Sequence, residues 1–205
     1  VVVTSQMQSG ATKLATPDIE TPQSVSIVTR EQFEEQGATS VRQAVSYTPG
    51  VYSNQIGASN RFDYIVLRGF SDGSLDNVYL DGLKMMGDTN SHSSLVVDPW
   101  FLEDIEVVRG PASVLYGRSS PGGIVALTSR KPSFDAGGEV KLFAGNNNQR
   151  GAAFDVTGAL DDNDRVAARL SGMTRYADSQ FGPLKEERYA LMPSLTWRIT
   201  DQTRL

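Results

Sequence analysis

The run Ile105-Glu106-Val107-Val108-Arg109-Gly110-Pro111-Ala112-Ser113-Val114-Leu115-Tyr116-Gly117-Arg118-Ser119-Ser120-Pro121-Gly122-Gly123-Ile124-Val125-Ala126-Leu127-Thr128-Ser129 holds two strands and a helix in one short stretch. Residues 105–108 are β-branched and acidic in alternation and read as a strand. Residues 111–116 read as a helix of one to two turns, opened by Pro111 and stopped by Gly117. Residues 123–129 read as a second strand. Asp104 and Glu106 alternate with Ile105 and Val107 and so read as the solvent edge of the first strand, not as a catalytic carboxylate pair.

Toward the N-terminus the same mixture continues. Residues 25–28 predict a short strand. Thr29-Arg30-Glu31-Gln32 fits a capping box, and Gly37 stands where that helix would stop. Ser40-Val41-Arg42-Gln43 fits a second box, with Val41, Ala44 and Val45 on one helix face. A strand over 63–68 is broken by Gly69, and a strand over 78–80 turns at Asp81-Gly82 into residues 83–86. Asp98 caps a short helix whose first residue is Pro99. Residues 1–22 carry no helical periodicity. They read either as a disordered terminus or as an extended peptide offered to the sheet edge of a partner.

The chain changes character near Pro132. In residues 166–176 one face holds Val166, Ala168, Leu170, Gly172 and Tyr176, and the other Arg169, Ser171 and Arg175. In residues 188–198 one face holds Tyr189, Leu191, Leu195 and Trp197, and the other Arg188, Met192, Ser194, Thr196 and Arg198. Residues 139–145 and 151–159 alternate more weakly. Residues 160–164 and 200–203 form tight polar turns, and 177–187 a longer connection. Alternating strands with short and long turns by turns fit an outer-membrane barrel, and equally an ordinary antiparallel sheet packed on a core.

The composition removes several classes of function. Of 205 residues 39% are apolar and 21% charged, enough for a folded core. The net charge of −5 argues against a phosphate-neutralising nucleic-acid surface. The absence of cysteine and the single His92 exclude disulfide scaffolds, thiolate nucleophiles and multi-histidine zinc sites. There is no phosphate loop, dinucleotide fingerprint or nucleophile elbow, so the chain does not read as an enzyme. Asp161, Asp162 and Asp164 lack the glycine and distal glutamate of a calcium loop and read as a solvated turn.

What remains is a set of glycine and arginine turns, and with them a resemblance. Pro22-Gln23-Ser24-Val25, Ser46-Tyr47-Thr48-Pro49-Gly50-Val51, Leu67-Arg68-Gly69-Phe70, Asp81-Gly82-Leu83, residues 108–117 and Ser119-Ser120-Pro121-Gly122-Gly123 stand in the order and spacing of one known domain. The sequence resembles the plug domain of TonB-dependent siderophore receptors over residues 22–132. Within them it is most similar to the ferric hydroxamate branch, ferrioxamine-type first and ferrichrome-type next.

The resemblance implies an α+β plug domain, a short mixed sheet with short helices. The antiparallel strands of a roughly 22-stranded transmembrane β-barrel follow it, truncated here to the first four from about Gly137. It divides the chain into 1–21, a TonB-box remnant and arm; 22–132, the plug; and 133–205, barrel strands. It implies a monomeric importer in the outer membrane of a Gram-negative bacterium, with the plug inside the barrel, the N-terminus periplasmic, lipid around it and no nucleic-acid partner. Val1, Val2, Val3 and Thr4 would bind the TonB-type energy-coupling protein. The ferric hydroxamate siderophore brings its iron fully chelated, so no metal ligands or cofactors are needed. Arg68, Trp100, Met86 and His92 are the residues that the resemblance places against the siderophore. Arg68 and Trp100 also have structural readings, as an ion pair and as core. A soluble periplasmic binding or signalling module without transport is the alternative, and strands beyond Gly137 argue against it.

Overall fold

The computed structural model describes residues 7–8, 13, 16–17, 20, 22–54, 63–70, 77–85, 87–88, 93–178, 185–200 and 203–204. Val1–Thr4, Met86 and His92 lie outside them. The chain divides into two compact units, Val1–Ser129 and Arg130–Leu205.

The first unit is built on strand pairing around one central strand. Its elements are β1 (Ser24–Thr29), α1 (Arg30–Glu35), α2 (Val41–Ala44), β2 (Val51–Tyr52), β3 (Val66–Leu67), β4 (Val78–Leu80), β5 (Leu83–Lys84), β6 (Leu102–Arg109), α3 (Ser113–Tyr116) and β7 (Gly123–Ser129). Five of them form a mixed sheet in the order β1-β6-β7-β4-β5. β6 pairs antiparallel with β1 and β7, and β7 runs parallel to β4. This corrects the solvent-edge reading of Asp104 and Glu106. β6 has a partner on both sides, and Glu106 is 2% exposed.

Alternation in β6 divides its apolar residues between two cores. Ile105 and Val107 share one face with Val28, Val125 and Leu127, and Phe33, Val41, Ala44, Val45 and Leu67 cover them. Val108 shares the other face with Ile124 and Tyr79, beneath Ala112 and Tyr116. The larger core explains α1 and α2. Each is too short to persist alone, so packing and caps hold it.

Thr29 forms the expected reciprocal box with Gln32, its N–H donating to the Gln32 Oε1 at 3.0 Å. The second box differs. Ser40 accepts from the Gln43 N–H, but the Gln43 carbonyl turns to the Thr39 N–H at 2.8 Å and the Thr39 hydroxyl at 2.9 Å. Thr39 offers two donors to one acceptor and so outcompetes the cap residue. Asp81 and Gly82 take φ values of 49° and 80° between β4 and β5, the left-handed pair that a two-residue hairpin turn requires.

The strand expected over 63–68 is confined to Val66–Leu67, paired with Val51–Tyr52. The N-terminal arm also departs from both readings of it. Met7–Gln8 pairs antiparallel with Thr16–Pro17, so part of the arm folds back on itself.

The second unit is an antiparallel meander of β8 (Gly137–Ala144), β9 (Arg150–Ala159), β10 (Val166–Asp178) and β11 (Lys185–Thr200), with Thr203–Arg204 paired to its last strand. Asp178 pairs with Lys185, so the strands extend into what read as the 177–187 connection. Register places Val140 beside Phe154, Val156 beside Leu170, Ala168 beside Leu195 and Val166 beside Trp197, all on one face. Of these, Val140, Phe154, Val156, Leu170, Leu195 and Trp197 are exposed, whereas Asp155, Ser171 and Arg175 on the opposite face are buried. Apolar outside and polar inside inverts the rule for a sheet in water and fits a wall against lipid.

One glycine contact is decisive for the first unit. A side chain at Gly122 would run into the Leu67 carbonyl and the Phe70 ring. Gly122→Val is expected to cost about 1–3 kcal/mol through forced displacement. Amide exchange of β6 and β7 in the full-length protein would then accelerate; unchanged exchange would disprove the close approach.

Candidate functional site

The glycine and arginine turns that are scattered in sequence meet at one end of β6. Arg68 and Gly69 adopt φ values of 52° and 84°, closing a tight turn in which the Phe70 N–H donates to the Leu67 carbonyl at 3.0 Å. The Arg68 N–H donates to the Gly50 carbonyl at 2.9 Å. Its side chain then passes over Gly50 and Gly110. A Cβ at Gly50 would lie 3.9 Å from the Arg68 Cγ and one at Gly110 3.8 Å from its Nη1, ordinary van der Waals contact. Gly50 and Gly110, both at positive φ, are thus the floor on which Arg68 lies. The Arg68 side chain is exposed, and its guanidinium has no hydrogen-bond or ion-pair partner among the described residues.

Arg109, at the same end, is fully engaged. Its Nε donates to the Pro49 carbonyl at 2.8 Å, Nη1 to the Ser24 hydroxyl at 2.8 Å and Nη2 to the Ser26 hydroxyl. Two arginines that look alike in sequence therefore do different work. One braces the scaffold and the other presents free donors.

Trp100 lies elsewhere. It sits in the 3-10 helix Pro99–Phe101, which Asp98 caps by accepting the Trp100 N–H at 3.0 Å. The ring is 7% exposed and the Arg30 guanidinium stacks 5.0 Å from its centroid. Arg30 also donates to the Trp100 and Leu102 carbonyls at 3.2 and 3.3 Å. This favours the core reading of Trp100 over ligand contact. Arg68 neighbours the Arg109 end of β6 and Trp100 precedes its Leu102 end, about 23 Å away along an extended strand. The structure does not bring these two residues together. Met86, His92 and the segment Val1, Val2, Val3 and Thr4 fall outside the described residues.

Two features escaped sequence reading. Asp155 accepts from the Arg169 guanidinium at 2.9 Å through Nε and Nη2, and from the Ser171 hydroxyl, while Arg130 lies 3.3 Å away. Arg169 also donates to the Lys131 carbonyl at 2.7 Å, tying the start of the second unit to its strands. The signal was the pairing of Asp155 with Ser171, which is legible only once the register is known. The second feature is Tyr116. Burial, then the charge of Glu106 and the neighbouring Tyr79, push its phenol up to about 12. No group of three metal-ligating side chains occurs among the described residues.

Comparison with known proteins agrees with this geometry. The TonB-dependent receptor plug domain family matches residues 17–124, and the chain belongs to that family. All 205 residues align at 95% identity with the ferrioxamine B receptor of Salmonella typhimurium strain LT2, covering 29% of it. Identity is 48% with the ferrioxamine receptor of Yersinia enterocolitica and 41% with the ferrichrome outer membrane transporter/phage receptor of Escherichia coli K12. In each case 98% of this chain is covered, with 28% and 27% of the relative. The chain thus spans under a third of the length of these relatives. All three are named as receptors, and the Escherichia coli relative is also named as an outer membrane transporter.

Among solved structures, the ferric-catecholate import receptor Fiu of E. coli K12 matches at 29% identity and a TM-score of 0.78, over 94% of this chain and 27% of that one. The pyoverdine receptor FpvA of Pseudomonas aeruginosa PAO1 matches at 24% identity and a TM-score of 0.88, over 98% and 29%. That second likeness carries the fold alone.

Two outcomes test this site. Asp155→Asn removes the buried carboxylate that pairs with Arg169 and one of the two carboxylates beside Arg130, which keeps Glu139 at 3.7 Å, at an expected cost of about 3–5 kcal/mol. New tryptic cleavage after Arg130 or Arg169 in the full-length receptor would report it, and an unchanged digest would refute the clasp. Tyr116 holds its proton more tightly folded than unfolded. That stabilisation is complete below pH 10 and disappears as pH rises through about 12. In an alkaline absorbance titration, Tyr116→Phe should remove a tyrosinate component centred near 12.

Proposed function

We propose that the receptor containing this chain imports a ferric hydroxamate siderophore of ferrioxamine type, with ferrichrome type next, across the outer membrane. The observation that carries the reading is the 95% identity over the whole chain with a ferrioxamine B receptor. The exposed apolar rows of β8 to β11 support a lipid-facing wall and disfavour a soluble module. In this reading a TonB-type coupling protein attaches by strand addition at Val1, Val2, Val3 and Thr4, through backbone hydrogen bonds that an extended segment offers, and its pull, driven by the inner-membrane proton gradient, energises import. Iron remains the cargo, chelated by the siderophore throughout.

Among the candidate contacts, Arg68 draws support from its exposed, unpartnered guanidinium, which suits the oxygens of a hydroxamate chelate. Met86 and His92 rest on the resemblance alone. Trp100, buried beneath Arg30, contributes by bracing the start of β6. A pocket of ordinary ligand size does not reach from Arg68 to Trp100, so one chelate does not touch both.

Fluorescence titration of the full-length receptor in detergent with ferrioxamine B and ferrichrome tests the reading. Tighter binding of ferrioxamine B is expected, weakened about tenfold or more by Arg68→Ala. Trp100→Leu should lower stability and leave affinity nearly intact. Failure of both ligands to bind would overturn the hydroxamate assignment, and an unaltered affinity in Arg68→Ala would remove that residue from the site.

A further inference from the structure

The outward face of the second unit is not evenly filled. Register sets its outward residues in rows that run across the strands. One row holds Gly158, Ala168 and Leu195, and its first two members have almost no side chain. Val156, Leu170 and Pro193 form the row on one side, and Val166 and Trp197 with Leu160 the row on the other. A groove of about 590 Å³ runs along the small row. Leu170 and Val166 stand four residues apart on β10, about 13 Å along the strand, which leaves the width of one hydrocarbon chain between their side chains over Ala168.

The exposed lining is hydrocarbon. Val156, Leu160, Leu170 and Leu195 are exposed along the groove, whereas Thr157, Arg169 and Ser194 alternate to the opposite face. There the Thr157 hydroxyl donates to the Ala168 carbonyl at 3.1 Å, and Arg169 donates to Asp155. The groove is continuous with the apolar rows that set this face against lipid, so its medium is as apolar as its lining and transfer from water favours no occupant. Packing decides instead. An empty slot forfeits dispersion contacts along its lining, and a methylene chain is slender and flexible enough to restore them. Barrel strands tilt by about 35–45°, so a row across them lies about 45–55° from the membrane normal, a slant that an acyl chain takes by bending.

We infer that this groove is a binding site for one acyl chain of a phospholipid, and that it holds this lipid on the wall while its neighbours exchange. The Leu160–Val166 turn and the Thr200–Thr203 hairpin lie at the same end of the strands, and short turns mark the periplasmic side, which places the groove in the periplasmic leaflet. The inference rests on the reading of β8 to β11 as a lipid-facing wall.

The test uses the full-length receptor in vesicles of phosphatidylethanolamine, a fraction of it carrying a diazirine on one acyl chain, with photolytic adducts mapped by peptide mass spectrometry. Label on Val156, Leu160 and Leu195 should exceed label on Val140 and Leu142, outward residues of β8 away from the groove, by about threefold. Gly158→Leu and Ala168→Leu fill the slot and should bring that excess down to the β8 level. A Cβ at Gly158 meets only Ala136, at 3.6 and 3.8 Å, so the wall has room for the first of these. Leu195→Ala opens the slot without filling it and should about halve the excess, which keeps the test decisive if a filled variant fails to fold. Equal label in the groove and on β8 would overturn the site and leave the lipid-facing wall standing. Label on neither would overturn both. A groove closed to label in a receptor that sediments as a dimer would assign it to a second copy and overturn the lipid site.

Discussion

Three hydrogen bonds from the Arg109 guanidinium hold the first unit in its arrangement. The acceptors, Pro49, Ser24 and Ser26, lie 60, 85 and 83 residues away in the chain. They belong to the turn after α2 and to β1, while Arg109 ends β6. A single planar group with five donors thus joins the helical layer to two strands of the sheet. Gly110, Gly122 and Gly123 follow from it, because backbone must pass close to backbone where the turns converge. Arg68 lies on that platform with its side chain exposed, whereas Arg109 is held by three acceptors.

Much of the secondary structure was legible because it is locally encoded. Thr29 with Gln32, Asp98 with Pro99, Asp81 with Gly82 and the stops at Gly37 and Gly117 are short-range chemistry, and all stand where spacing put them. The misreadings came from long-range pairing. Glu106 looks solvent-facing in a window of alternating residues, and only partners about 20 and 80 residues distant bury it. The stacking of Arg30 on Trp100 is just as long-range, and it favours the core reading that the sequence left open beside ligand contact. Asp155 is one acid among many until the register brings Ser171 and Arg169 to it. The turn arginines defeated sequence reading for the same reason. Their roles depend on which acceptors lie within reach, and flanking residues do not encode that.

The second unit shows the opposite dependence. Its alternation was plain, but alternation is symmetric and does not say which face is outward. The solvent exposure of Val156, Leu195 and Trp197, with Ser171 and Arg175 buried, breaks that symmetry. A polar interior is acceptable here because Asp155 pairs with Arg169 and Arg130, and Glu139 adds a second negative charge beside Arg130.

The position of the Arg109 hydrogen bonds has a mechanical meaning. β1 is the edge strand of the sheet, and its first residue, Ser24, pairs with Arg109. Tension entering from the N-terminal side reaches the sheet at that rung and peels β1 away one residue pair at a time, a geometry in which bonds break singly. The charge-assisted bonds from Arg109 to Ser24 and Ser26 stand at the head of that sequence. They are the first side-chain contacts that such tension loads, ahead of the backbone rungs from Val25 to Thr29 and the burial of Val28 in the core. The edge of the plug is thus built like a seam with an added stitch at the end where ripping begins.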